Sequence, residues 1–133
     1  DGRQLPFILY EFVAGGSILD VMQAKSEEQG GEAWVPPRPL ALSWSAQLML
    51  GLSVLHGHVR PMAHRDVKPA NLLVSPDLST LKVGDFSLAT PLSGRASDTY
   101  FVAGSMRYMA PEVSASVPFD LEKADMYSAG LTV

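Results

Sequence analysis

HRDVKPANLLV (64–74) places a histidine, an arginine, an aspartate, a lysine and an asparagine within eight residues and then runs straight into an apolar stretch. The first eight read as a loop dense in chemistry, and NLLV (71–74) as a short strand that anchors its far end. Taken singly, these side chains are ordinary loop charges, and His64 alone suits a hydrogen-bonded core histidine. Together, H-R-D-x-K-x-x-N fixes five positions. At about 1 in 20 per position from average usage, chance produces it on the order of once in several million registers.

On the upstream side, Trp44, Leu48, Leu52 and Leu55 recur at helical spacing from Ser43 to about Leu55, and Gly57 suits the helix stop. On the downstream side, LKV (81–83) pairs with NLLV as a small hairpin through SPDLST. KVGDFSLA (82–89) ends that second strand on an acidic residue, Asp85. The stretch 85–110 is polar and rich in turns until Pro111 opens a short helix, and LEKADMYSAGLTV (121–133) reads as another.

Toward the N-terminus, PFILYEFV (6–13) is an almost continuous apolar and aromatic run that stops at Ala14-Gly15-Gly16, the pattern of a buried strand. Ser17 with Asp20 three residues later has the form of a helix start, with a short helix through about Lys25. SEEQGGEAWVPPRP (26–39) mixes charge, glycine and proline and reads as a solvated loop or insertion.

Composition excludes several classes of function. A chain of 133 residues, 47% hydrophobic and 18% charged, can bury one core, and a net charge of −4 with no basic run argues against nucleic acid or an anionic membrane as partner. No apolar stretch reaches the ~20 residues of a membrane span. With no cysteine there is no disulfide frame, thiolate nucleophile or thiolate zinc site. That composition fits a reducing compartment, and the cytoplasm is the expected location.

Five stretches in order, ILYEFVAGGSI, HRDVKPANLLV, KVGDFSLA, GSMRYMAPEV and DMYSAG, resemble the eukaryotic protein kinase family. They match its adenine strand and hinge, catalytic loop, metal motif, end of the activation segment and start of a buried helix. The wording of GSMRYMAPEV and LHGHVRPMAHRD resembles the tyrosine-kinase-like group. The resemblance implies an α+β fold, part of the two-lobed kinase architecture: strand and hinge in 1–17, part of the helical lobe in 18–133. It also implies ATP and Mg²⁺ as cofactors and a protein substrate with a Ser/Thr acceptor.

Roles follow by resemblance, residue by residue. Asp66 would orient the acceptor hydroxyl and take its proton, and Lys68 would place positive charge on the transferring phosphate. Asn71 and Asp85 would be metal ligands, one amide and one carboxylate offering the hard oxygens that Mg²⁺ prefers. Glu11 and Val13 would present main-chain groups to the adenine edge, Leu73 would form the floor beneath it, and Ser17 would reach the ribose or cap its helix. Tyr10 would stand at the back of the pocket. Ser105 would contact Asp66 and Lys68, as a hydroxyl residue does in Ser/Thr kinases, and Asp125 would accept backbone hydrogen bonds from the HRD turn. His64 and Phe86 would be packed residues, and Glu112 would pair with an arginine beyond residue 133. A phosphate on Thr90, Ser93, Ser97, Thr99 or Tyr100 could pair with Arg65.

The departures from the family pattern also set expectations. The family's Gly-rich loop, strand lysine and helix glutamate would lie N-terminal to this stretch, so residues 1–133 by themselves are expected to be inactive. A scaffolding pseudokinase is the alternative, opposed by the intact set Asp66, Lys68, Asn71 and Asp85. Ser87 stands where the family usually has glycine. It should leave Asp85 competent and bias the loop, by about 0.4–1 kcal/mol where its backbone fits or against it by about 1–2 if left-handed φ is required.

Overall fold

The computed structural model describes residues 7–92, 102–115 and 118–132. Its elements run α1 (Ile18–Glu28), α2 (Arg38–His56), β1 (Met62–Ala63), β2 (Leu72–Val74), β3 (Leu81–Val83), β4 (Thr90–Pro91), α3 (Pro111–Ser114) and α4 (Leu121–Thr132). Single 3-10 turns lie at Pro69–Asn71 and Met106–Tyr108. The class is α+β, mostly helical with short strands.

Ser17 and Asp20 start α1 as a capping box. The Ser17 hydroxyl accepts from the Asp20 amide at 3.1 Å while the Asp20 carboxylate accepts from the Ser17 amide at 2.9 Å. α1 runs three residues past Lys25, so Ser26–Glu28 belong to the helix. α2 likewise begins at Arg38 rather than Ser43, because a proline in the first turn lacks only an amide that would go unpaired there anyway. Trp44, Leu48 and Leu52 bury the inner face of α2 against Ile18, Val67, Leu72, Val74, Leu81 and Ala129. Each such side chain contributes about 1.5–3 kcal/mol on burial. Leu55, one turn further, is only half-buried.

The hairpin forms as expected, antiparallel with Leu72 opposite Val83, Leu73 opposite Lys82 and Val74 opposite Leu81. A second ladder, β1 with β4, pairs Met62 with Pro91 and Ala63 with Thr90. At two residues a side it is too short to leave a period in the sequence. It nonetheless ties the entrance of the 64–71 loop to the chain just past Asp85. α4 packs Ala124 against Ala110 and Val113 of the APE stretch, completing a smaller apolar cluster.

The strand expected over 6–13 does not form in the described part, 7–13. Phe7, Leu9 and Phe12 are 87%, 89% and 88% exposed. Among the described residues no strand lies beside this run, so its amides have no ladder partner and its side chains no face to bury against. Apolar sequence alone does not make a strand.

Candidate active site

The loop 64–71 is held from beneath by α4. Asp125, buried in that helix, accepts from the amide of His64 at 2.7 Å through Oδ2 and from the amide of Arg65 at 2.7 Å through Oδ1. His56, the last residue of α2, donates from Nε2 to the same Oδ2 at 2.8 Å. Arg65 adopts φ 70°, the left-handed region that costs a non-glycine residue about 1–2 kcal/mol. The bonds to Asp125 on either side of that turn hold it in place. Nothing in the local sequence marks His56 as a partner in this arrangement.

Turned by Arg65, Asp66 meets three donors. Lys68 Nζ reaches its Oδ2 at 2.7 Å, the Asn71 side-chain amide reaches the same oxygen at 3.0 Å, and the Ser105 amide reaches Oδ1 at 2.9 Å. Lys68 also donates to the Ser105 hydroxyl at 2.8 Å. Ser105 thus touches both residues, as expected. Burial pushes the Asp66 carboxyl up, but hydrogen bonds from Lys68 and Ser105 and the Lys68 charge outweigh it and leave the group below the ordinary carboxylate value. Asp66 is therefore an anion at neutral pH. Gly104, at φ 114°, lets the Ser105 segment approach, since a Cβ there would collide with the Arg65 carbonyl oxygen.

His64 joins this cluster to Asp85. Its Nδ1 accepts from the Asp66 amide at 3.2 Å, so in the neutral ring Nε2 carries the proton and donates to the Gly84 carbonyl at 2.9 Å. The Gly84 amide in turn donates to the Asn71 carbonyl at 2.8 Å. Phe86 stands edge-on to the His64 ring with centroids 5.2 Å apart, yet more than a third of it is exposed, so it is less packed than expected. Asp85 itself takes φ 55°. The left-handed conformation thus falls on Asp85 and not on Ser87, whose Cβ costs nothing on that account. Hydrogen bonds from the Ser87 hydroxyl and then its amide, at 3.3 Å to Oδ1, hold the Asp85 carboxyl below its ordinary value. Slight burial and the Asp66 charge oppose them, and Lys68 assists.

Asn71 and Asp85 fit a hard cation. The Asn71 amide nitrogen is occupied by the Asp66 carbonyl at 2.8 Å and by its carboxylate, which leaves the amide oxygen as the end to face a metal. Among the described residues no three His, Cys, Asp or Glu cluster into a metal cage. One amide and one carboxylate suit an ion that shares its shell with phosphate oxygens and water.

The remaining candidates lie around the other edge. Leu73 forms a bridge with Ser17, and the Val74 amide donates to the Gly16 carbonyl at 2.9 Å. Ser17 caps α1. Its hydroxyl donates to Asp20 at 2.7 Å and accepts from the Asp20 amide at 3.1 Å, which leaves one lone pair of the oxygen open. Glu11 is exposed with its carboxylate on Lys82, Val13 is half-buried, and Tyr10 is exposed. Arg65 donates to the Thr90 hydroxyl at 2.9 Å. Ser93, Ser97, Thr99 and Tyr100 lie outside the described residues.

A family model described as the protein kinase domain matches residues 3–133. The chain belongs to the protein kinase family. This kinase chain is 34% identical over 125 residues to the mitogen-activated protein kinase kinase kinase 7-like protein of Drosophila melanogaster, covering 94% of the chain and 29% of that protein. It is 37% identical over 130 residues to the serine/threonine-protein kinase DCLK2 of Rattus norvegicus, covering 94% and 15%. With the leucine-rich repeat receptor-like protein kinase PEPR1 of Arabidopsis thaliana it shares 33% over 133 residues, covering 95% and 11%. The chain spans less than a third of the length of each of these relatives. Among the described residues no helix is long and apolar enough to cross a membrane.

Proposed function

We propose that this chain is the catalytic-loop part of an ATP-dependent kinase that phosphorylates Ser and Thr hydroxyls of protein substrates. The observation that carries the reading is the convergence of Lys68 on both Asp66 and Ser105, at 2.7 and 2.8 Å, beside Asn71. Phosphoryl transfer requires alignment and charge neutralisation more than covalent work from the protein. Asp66, ionised and held by three donors, accepts the hydrogen bond of an acceptor hydroxyl and takes its proton. Lys68 sets a fixed positive charge next to that position. Asn71 and Asp85 would hold Mg²⁺, which when bound neutralises charge on the phosphates. Main-chain groups of Glu11 and Val13 would meet the adenine edge above Leu73. The Ser105 hydroxyl in contact with Lys68 supports a Ser/Thr acceptor, as does the similarity to the serine/threonine-protein kinase DCLK2.

The test is phosphoryl transfer by the full-length protein to Ser/Thr peptides. Asp66→Asn is expected to lower kcat by roughly 10²–10⁴-fold, the usual contribution of a positioned acid or base, and to leave nucleotide binding in place. A wild-type protein that binds nucleotide but transfers no phosphate would leave the scaffold reading standing instead.

A further inference from the structure

The segment proposed to present main-chain groups to the nucleotide is tied down at two places. At its downstream end the backbone does the work, through the Gly16 carbonyl with the Val74 amide and the bridge of Ser17 with Leu73. At its upstream end a side chain does. Lys82 Nζ donates to both carboxylate oxygens of Glu11, at 2.7 and 2.6 Å, across 71 residues of sequence. Two other exposed lysine pairs, Lys25 with Glu28 and Lys123 with Asp120, span three residues each and support only their own helix turn. Lys82 also lies directly opposite Leu73 in the hairpin ladder, and ladder partners project from the same face.

We propose that Lys82 is a positioning residue for the nucleotide, acting through the Glu11 carboxylate to hold the 11–13 main chain in register with the Leu73 floor. The inference rests on the kinase reading above. Two physical effects act in the same direction. The pair restrains an otherwise exposed stretch, so less ordering remains for the ligand to bring about. It also neutralises a carboxylate that would otherwise repel a polyphosphate. Both partners are solvent-exposed, so the effect is small and sensitive to salt.

The experiment uses the full-length protein, a fluorescent ADP analogue with Mg²⁺ for binding, and steady-state kinetics in ATP. Lys82→Met is expected to raise the dissociation constant and KM for ATP roughly two- to fivefold, the range open to an exposed ion pair, with kcat nearly unchanged. That difference should shrink toward none as salt rises from about 0.05 to about 1 M. Lys82→Glu alone should weaken binding further, and the exchanged pair Lys82→Glu with Glu11→Lys should restore it. Lys25→Met should match wild type. Unchanged affinity in Lys82→Met, a fall in kcat at constant KM, or failure of the exchanged pair to restore binding would each overturn the proposal. Wild-type protein that binds no nucleotide would overturn the kinase reading and this inference with it, whereas intact wild-type binding beside an indifferent Lys82→Met defeats the inference alone.

Discussion

The 64–71 loop and the 7–13 segment, which on the proposed reading serve the same nucleotide, are built in opposite ways. In the loop, the amides of His64, Arg65 and Asp66 and the side chains of His64, Asp66, Lys68 and Asn71 all have partners within the chain. Asp125 and His56, 69 residues apart, close the set from below. The 7–13 segment, by contrast, leaves most of its apolar side chains in solvent, and the side-chain tie that holds it is an exposed ion pair. Polar loops stay in place when buried acceptors satisfy them locally, because an unpaired buried donor costs more than a made bond contributes. Apolar strands stay in place only when a neighbour supplies a ladder and a face.

That contrast makes its sharpest demand at Asp125. Asp125→Ala leaves two amides in a buried turn without an acceptor, at about 1–3 kcal/mol each, and frees Arg65 from its left-handed conformation. In the full-length protein the melting temperature is expected to fall, and kcat to fall by about a hundredfold, as a misplacement of about 1 Å produces. The contrast fails if Asp125→Ala does no more harm than Lys82→Met. Next in size, Gly104→Ala puts a Cβ against the Arg65 carbonyl at φ 114°. Such strain costs about 1–3 kcal/mol and would move the Ser105 amide off Asp66, so kcat should drop by roughly ten- to a hundredfold. An unimpaired Gly104→Ala kinase would mean that the Ser105 contact is dispensable. Smallest is Ser87→Gly. It removes a hydroxyl from Asp85 and a restraint of about 0.4–1 kcal/mol, so activity should change within roughly tenfold. A larger change in either direction, read by initial rates across Mg²⁺ concentrations, would make Ser87 a determinant of competence.

Much of the site is legible in the sequence. The motif residues are close along the chain, so the sequence by itself marks Asp66, Lys68 and Asn71 as neighbours, although Asp125 is needed to hold their loop. The hairpin, the α1 cap and the α2 core stripe are equally readable, since each is written in a local period or a cap pattern. The bounds of α1 and α2 are less so, because Ser26–Glu28 and Arg38–Pro39 carry the charge and proline of a loop while lying in helix. PFILYEFV misleads for the opposite reason. Its composition says strand, but composition does not supply the second strand.

By itself the sequence determined the family, and it singled out the carboxylates, the lysine and the amide on which the proposed chemistry rests. Identity and short spacing suffice for that, since they do not depend on what lies across the fold. Only the tertiary structure decided that His56 supports Asp125, that Gly104 admits Ser105 to Asp66, that Arg65 and Asp85 of the candidate site take left-handed φ and Ser87 does not, and that Lys82 holds Glu11. Each of these joins parts far apart in the chain or depends on a backbone angle set by packing. No local pattern of residues records such a distance or such an angle.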